Sequence, residues 1–153
     1  MRIRATEGFT LIELLVVMAI IGIVAGVLGF SLLNNLRRTE LQNAAAQLAA
    51  DLRSTRTNAQ KTGLVSALTV VAGGTTYTAQ TRSAEASARS LENGVTLFPD
   101  SASPTAVQYY PPFGTLATTG TVWELRSPTT WIPSLFVKVV GVTGKVMVSA
   151  TRN

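Results

Sequence analysis

The stretch GFTLIELLVVMAIIGIVAGVLGFSLL, residues 8–33, decides the fold of the chain. Residues 14–33 carry no charge, and as a helix they would span about 30 Å, the thickness of the hydrocarbon core of a bilayer. One residue departs from this pattern, because Glu13 places a carboxylate at the start of the apolar run. A charge at full membrane depth costs about 2.5 kcal/mol or more. Glu13 therefore needs a function beyond anchoring.

The residues around the apolar run distinguish an anchor from a cleaved secretory signal. The preceding segment MRIRATEG, residues 1–8, is short and polar and carries Arg2 and Arg4. A secretory signal peptide also combines a basic start with an apolar run, but its run is shorter and a small-x-small cleavage site follows it closely. Here the run has the full length of a membrane span and continues into a helical pattern. The sequence therefore favours an uncleaved single-pass anchor.

An amphipathic helical pattern follows the apolar run. There is no proline before Pro99 and no glycine between Gly29 and Gly63, so one continuous helix over about residues 9–60 is expected. Lys61 and Gly63 provide a basic last turn and a glycine stop. Apolar side chains spaced three or four apart fall on one stripe of this helix: Leu41, Ala45, Leu48, Leu52 and Ala59.

Beyond Gly63 the sequence has the pattern of short β-strands. LVSALTVV and TTYTAQTR flank Ala72-Gly73-Gly74 and predict a hairpin. Five more strands are expected at GVTLF, AVQYY, TVWELR, LFVKVVGV and KVMVSA, and a tight turn at Val142-Thr143-Gly144 joins the last two. Residues 83–93, SAEASARSLEN, are expected to form a flexible loop or one helical turn. Because the helix cannot bury its stripe alone, we predict an α+β fold in which it packs on a mainly antiparallel β-sheet domain.

The composition argues against an enzyme or a metal protein. The chain has no cysteine and no histidine, which removes thiolate chemistry and the commonest acid–base catalyst and metal ligand. Its acidic residues are scattered, with no two within four positions of each other. Ser134 and Lys138 do not have the spacing of an established catalytic dyad. We therefore predict no catalytic residue, no metal site and no cofactor.

The segment Gly8-Phe9-Thr10-Leu11-Ile12-Glu13, with its basic leader and apolar run, resembles the class III signal of type IV prepilins and secretion pseudopilins. The resemblance implies that a prepilin peptidase cuts between Gly8 and Phe9 and methylates the new amino group of Phe9. It also implies that Glu13 pairs with the free amine of a neighbouring subunit in a filament. Two opposite charges attract strongly in an apolar medium, whereas each alone is costly there.

The same resemblance implies four segments and a location. Residues 1–8 are the leader, 9–35 the transmembrane and assembly helix, 36–62 the amphipathic half of the helix, and 63–153 a β-rich periplasmic domain. The expected location is the bacterial inner (cytoplasmic) membrane, crossed once, with the leader in the cytoplasm. Other pilin or pseudopilin subunits are the expected partners, together with prepilin peptidase and the inner membrane itself. Basic residues flank both ends of the span, so charge alone does not fix this orientation.

The remainder of the chain is similar to the GspH/FimT type of minor pilins and pseudopilins. The similarity rests on LENGVTLF and on PPFGTLATTGTVWELR leading into FVKVVGVTGKVMV. Phe30 stands where many major pilins have a proline, and no acidic residue follows Glu124, unlike the calcium loop of major pseudopilins. A minor subunit with a structural function is therefore predicted. Whether its filament is a type IV pilus or a type II secretion pseudopilus stays open.

A pilus-associated DNA receptor for natural transformation is the alternative function. From Ser101 onward the sequence contains four basic residues and one acidic residue, Glu124. Such an excess of positive charge would attract the phosphates of DNA without recognising its sequence. The candidate DNA-binding residues are Arg126, Lys138, Lys145 and Arg152. DNA-binding members of the family are expected to carry a Gly-Arg-x-Arg motif, whereas this chain has Gly144-Lys145-Val146-Met147.

Overall fold

The computed structural model of the chain describes residues 9–81, 86–117 and 120–152. The predicted leader, residues 1–8, lies outside this part. The described residues form one helix and nine strands. The helix is α1 (Leu11–Thr62), and the strands are β1 (Ser66–Val70), β2 (Thr76–Thr81), β3 (Ser87–Ser90), β4 (Thr96–Pro99), β5 (Ala106–Tyr110), β6 (Thr115–Leu116), β7 (Gly120–Arg126), β8 (Leu135–Val140) and β9 (Lys145–Ser149).

Helix α1 confirms the single long helix predicted from the sequence. It ends at the expected glycine, since Gly63 takes a φ of 68° and its N–H donates to the carbonyl oxygen of Ala59 at 3.2 Å. A positive φ is easy for glycine and costly for other residues, so the helix stops there. All five residues of the predicted apolar stripe are buried, and so are Ala44, Ala49 and Thr55.

The strands form two antiparallel sheets. The first sheet has the order β3-β2-β1-β5-β6, and the second has the order β4-β7-β8-β9. The two hairpins predicted from glycine turns are confirmed, as β1 pairs with β2 and β8 pairs with β9. A single helix with antiparallel sheets confirms the predicted α+β class.

The core lies between the apolar stripe of α1 and the inner faces of the two sheets. Its largest fully buried side chains are Trp123, Tyr77 and Tyr109. Trp123 also satisfies its polar atom, because Nε1 donates to the carbonyl oxygen of Pro104 at 2.9 Å. Buried aromatic residues supply much of the apolar area that such a small domain removes from water.

The prediction for residues 83–93 was wrong in part. Strand β3 lies within this segment and pairs with β2, so residues 87–90 form neither a loop nor a helical turn. Residues 83–85 lie outside the described part. All four residues of β3 are exposed, so the alternation of apolar and polar residues that marks a half-buried strand is missing. The two-residue strand β6 was also missed, because a pattern needs more than two residues.

The chain divides into two compact units, Met1–Leu36 and Arg37–Asn153, with the boundary inside α1. In the first unit every described side chain is exposed. The second unit contains the two sheets and all the buried residues of the described chain.

Candidate functional site

The first turn of α1 is capped by Thr10. Its hydroxyl oxygen accepts a hydrogen bond from the backbone N–H of Glu13 at 3.3 Å, and its carbonyl oxygen accepts one from Leu14 at 3.2 Å. Thr10 thereby has the position of an N-cap and Glu13 the third helical position, the spacing of a capping box. A carboxylate there also interacts favourably with the positive end of the helix dipole. The segment that carries the sequence motif thus starts a helix at Leu11.

Glu13 lies among exposed apolar side chains. Phe9 is 80% exposed, and Leu11 and Ile12 are 84% and 74% exposed. Among the residues that the structure describes, none forms an ion pair with the Glu13 carboxylate or donates a hydrogen bond to it. A carboxylate in such a setting is stabilised by water or by a charged group beyond the described residues. Gly8, the other side of the predicted cleavage site, lies outside the described residues.

The apolar part of α1 has the length and composition of a membrane span. Helix α1 contains a window with a mean hydropathy of 2.8, none of which is buried inside the structure. In water such an exposed surface would be strongly unfavourable. Together with the capped start at Leu11, it fits a helix that is anchored in a bilayer.

The four C-terminal cations predicted as DNA-binding residues lie on the outer face of the second sheet. Arg126, Lys138 and Lys145 alternate with the buried residues of β7, β8 and β9 and therefore point away from the core. Arg152 lines a cavity of about 180 Å³ with Val122, Glu124 and Phe136, which belong to the same face. The fold thus brings together residues that are separated by up to 26 positions in the sequence.

Two of these four cations already hold carboxylates of the chain. Arg152 binds both oxygens of Asp100, at 2.8 and 2.7 Å from Nη2. Arg126 Nη2 lies 2.8 Å from Glu124 Oε2, and its guanidinium stacks over the ring of Phe98, 4.4 Å from the centroid. The hydrogen bond from Arg126 lowers the pKa of Glu124 below its usual value. The outer face therefore carries four positive charges against two negative ones.

A polar cluster that the sequence analysis did not identify joins α1 to the first sheet. Asp51 accepts hydrogen bonds from Tyr77 Oη at 2.5 Å and from Arg89 Nη1 at 2.8 Å. Gln47 donates to the Tyr77 hydroxyl at 3.1 Å and to the carbonyl oxygen of Ser90 at 3.3 Å. Burial, and then the neighbouring Asp51, raise the pKa of Tyr77 well above its usual value. The cluster attaches the exposed strand β3 to the helix.

None of the described residues forms a group of three or more histidine, cysteine, aspartate or glutamate side chains that could hold a metal ion. The only signal for the Asp51 cluster in the sequence would have been an aspartate close to the apolar stripe of the helix. Its partners Tyr77 and Arg89 lie 26 and 38 residues away. Their proximity depends on the packing of the first sheet against α1.

Comparisons with known proteins agree with these observations. The prokaryotic N-terminal methylation motif matches residues 3–29. No curated protein sequence matches the chain. A crystal structure of the type IV minor pilin FimU of Pseudomonas aeruginosa is similar, with a TM-score of 0.61 and 17% identity over 73% of this chain and 90% of that one. A second crystal form of FimU gives a TM-score of 0.58 and 15% identity over 71% and 91% of the two chains. The chain therefore joins the N-terminal methylation motif of type IV pilins to a pilin fold.

Proposed function

We propose that this chain is a non-enzymatic minor pilin or pseudopilin of the GspH/FimT type. A prepilin peptidase cuts it between Gly8 and Phe9 and methylates the new amino group of Phe9. The mature subunit is held in the inner membrane by the first half of α1, with the β-sheet domain on the periplasmic side. It then joins a type IV pilus or a type II secretion pseudopilus through that half of the helix. The motif over residues 3–29 and the pilin fold support this proposal.

The observation that carries the proposal is the environment of Glu13. Its carboxylate has no cationic partner among the described residues, and the helix around it presents only exposed apolar side chains. Cleavage after Gly8 would create a positive amino group on Phe9, four residues before Glu13. In a filament, the amine of one subunit and the carboxylate of the next would neutralise each other in an apolar medium. Assembly would thereby remove the cost of both buried charges.

Processing is tested by the intact mass of the chain purified from cells with and without a prepilin peptidase. We expect the first form to lack residues 1–8 and to carry one added methyl group, and the second to keep Met1. Gly8→Val is a useful variant, since a bulky residue before the cut should block it. A chain that keeps residues 1–8 in the presence of an active peptidase would refute the proposal.

The assembly step is tested by comparing two carboxylates on the same helix. Glu13→Gln removes the negative charge with almost no change in shape, and Glu40→Gln does the same at a site where the carboxylate already binds Arg37 at 3.0 Å. We expect Glu13→Gln to lower incorporation into sheared filaments by at least about tenfold, whereas Glu40→Gln should incorporate normally. Equal incorporation of both variants would contradict the assigned function of Glu13.

A DNA receptor is the alternative function, and the C-terminal cations are its candidate site. Their common location on the outer face of the second sheet supports it. The ion pairs of Arg126 with Glu124 and of Arg152 with Asp100 weaken it, because a paired arginine releases fewer counterions from DNA. Of the four, the exposed Lys145 therefore remains the strongest candidate.

A further inference from the structure

The two sheets differ in the charge of their strands. Among the described residues of the five strands of the first sheet, the only charged one is Arg89 of β3, whose guanidinium binds Asp51 of α1 at 2.8 Å. In the second sheet, β7, β8 and β9 each carry at least one charged residue. Exposed protein surfaces usually mix charges of both signs. The outer face of the first sheet therefore departs from this rule, and any ligand there would meet neutral side chains.

A recess of about 370 Å³ lies on this outer face, and its lining residues are Val65, Ala67, Gln80, Gln108 and Tyr110. In the register of the sheet, Ala67 pairs with Gln80 on one side and with Gln108 on the other. Neighbouring strands are about 4.8 Å apart and paired residues project to the same face, so the Cα atoms of the two glutamines lie about 10 Å apart. The small side chain of Ala67 is therefore the floor of the recess, between two longer amide side chains.

The recess combines hydrogen-bonding groups with apolar surface. Tyr110 Oη donates to Gln108 Oε1 at 2.9 Å. This bond occupies the carbonyl end of the Gln108 amide and leaves its NH2 group, which has two N–H donors, for a ligand. The amide of Gln80 adds an acceptor and two further donors. The half-buried side chains of Tyr110 and Val65 supply the apolar surface.

This chemistry selects among the classes of ligand. A phosphate or an anionic lipid headgroup would lose its hydration here without gaining a counter-charge. An extended peptide joins a sheet through backbone groups at an edge, whereas β1 lies inside the sheet and pairs with both β2 and β5. A neutral saccharide is complementary to the recess, because its hydroxyl groups both donate and accept hydrogen bonds, as amides do, and its C–H groups pack on apolar and aromatic surface.

We propose that this recess binds one unit of a neutral saccharide chain. The amides of Gln80 and Gln108 hydrogen-bond hydroxyl groups on opposite sides of the sugar ring, and Tyr110 packs against its C–H groups. Because the bond from Tyr110 already holds the Gln108 amide, little side-chain entropy is lost there on binding. The volume of the recess lies within the range of about 300–1,000 Å³ that is usual for small-ligand sites. The site shares no residue with the C-terminal cations, and it does not rest on filament assembly.

The ligand class is tested by isothermal titration calorimetry of the full chain, in micelles of a detergent that has no sugar headgroup. The probes are cellohexaose and the hexamer of N-acetylglucosamine, which distinguish a plain from an N-acetylated saccharide chain. We expect at least one of them to bind, with the same affinity at about 0.05 and 0.5 M salt, because no ion pair contributes. Absence of binding by both probes, or an affinity that falls steeply with salt, would overturn the proposal.

The location of the site is tested by filling the recess. Ala67→Ile adds volume to its floor without adding charge, and Thr69→Ile, at the next outward position of β1, is the matched control. Isoleucine is favourable in strands, so both variants should fold. We expect Ala67→Ile to weaken saccharide binding about tenfold or more through a steric clash, and Thr69→Ile to leave it unchanged. Equal losses in the two variants would refute the assignment. If no saccharide binds and Ala67→Ile lowers incorporation into filaments, the face is a contact between subunits and the proposal is wrong.

The contribution of the polar groups is tested by Gln108→Glu, which keeps the shape of the side chain and an acceptor for Tyr110 but loses the NH2 group. We expect it to weaken saccharide binding about threefold to tenfold. Gln42→Glu makes the same change at an exposed position of α1 and should have no effect. Tyr110→Leu should weaken binding more than Tyr110→Phe, which keeps the aromatic ring. Wild-type affinity in both Gln108→Glu and Tyr110→Leu would show that the saccharide binds elsewhere, and the proposal would fail.

Discussion

The two halves of α1 show how one helix can serve two environments. In the first half, apolar side chains are exposed on all sides, from Leu11 to Leu36. In the second half, apolar residues are confined to one stripe that is buried by the sheets, and the other faces carry Arg37, Arg53 and Arg56. A helix that is apolar all round needs a partner outside the chain, whereas an amphipathic one is covered by its own domain. The difference identifies which half the fold depends on.

The two halves also differ in whether their carboxylates form ion pairs among the described residues. In the second half Glu40 binds Arg37, and Asp51 binds Arg89 and Tyr77. Glu13 in the first half has no such partner among the described residues. Buried or partly buried charges are stabilised when they are paired. Within the part of the chain that the structure describes, the carboxylates of the second half are therefore paired inside the subunit, whereas that of Glu13 is not.

The largest expected effect comes from truncating a buried leucine of the second half. Leu52 is 0% exposed and Leu32 is 62% exposed, so the same substitution tests both halves. We expect Leu52→Ala to lower the free energy of unfolding of the domain by about 2–5 kcal/mol, because it leaves a cavity in the core. Leu32→Ala should leave that free energy unchanged. Chemical denaturation followed by the near-ultraviolet circular dichroism of the buried Trp123 measures both. Similar losses would abolish the distinction between the halves.

A smaller effect is expected at the polar cluster of the second half. Asp51→Asn removes the charge that binds Arg89 and leaves the buried Tyr77 hydroxyl with a weaker acceptor, so we expect a loss of about 1–3 kcal/mol. Glu40→Gln, at an exposed ion pair on the same helix, should cost at most about 0.5 kcal/mol. Since Asp51 contributes to the raised pKa of Tyr77, the absorbance titration of that tyrosine should move to lower pH in Asp51→Asn. No movement would show that the cluster is not formed in solution.

Acid should weaken the ion pair on the second sheet slightly. Arg126 lowers the pKa of Glu124 below its usual 4.5 in the folded state. The stability that this carboxylate contributes is therefore present above about pH 4.5 and is lost as the pH falls through the folded pKa. We expect Glu124→Gln to remove under about 1 kcal/mol at pH 7 and to flatten the pH dependence of stability below pH 4.5. An unchanged acid profile in Glu124→Gln would contradict the pairing.

The smallest effect on the domain is expected from the largest deletion. Because the boundary between the two compact units falls after Leu36, a fragment of residues 37–153 should fold alone. Its circular dichroism spectrum and its midpoint of denaturation should match those of the domain in the full chain. A disordered fragment would show that the first half of α1 supports the fold.

Much of the fold could be predicted because its signals are local. The apolar run, the stripe from Leu41 to Ala59 and the stop at Gly63 are each read from neighbouring residues, since a helix brings together positions three and four apart. The same holds for the two glycine hairpins, which need only a turn between two strands. Strand β3 could not be predicted from the sequence, because its residues are all exposed. Its position is fixed by pairing with β2 and by the ion pair of Arg89 with Asp51.

The sequence by itself determined the long helix, the membrane-like span, the motif at Gly8, Phe9 and Glu13, and the α+β class, because each follows from spacing within one segment. The division into two sheets was decided only by tertiary structure. Tertiary structure also decided the partner of each arginine. Arg126 and Arg152 form ion pairs with carboxylates. Arg53 donates to the neutral carbonyl of Val146, which is 93 positions later in the sequence, and Arg56 donates to that of Gly114, which is 58 positions later. Which charge meets which partner depends on how distant segments pack, and Coulomb interactions between exposed charges fade within about 10 Å in salt. For that reason a count of basic residues treats the four C-terminal cations alike, whereas the fold pairs Arg126 and Arg152 with carboxylates.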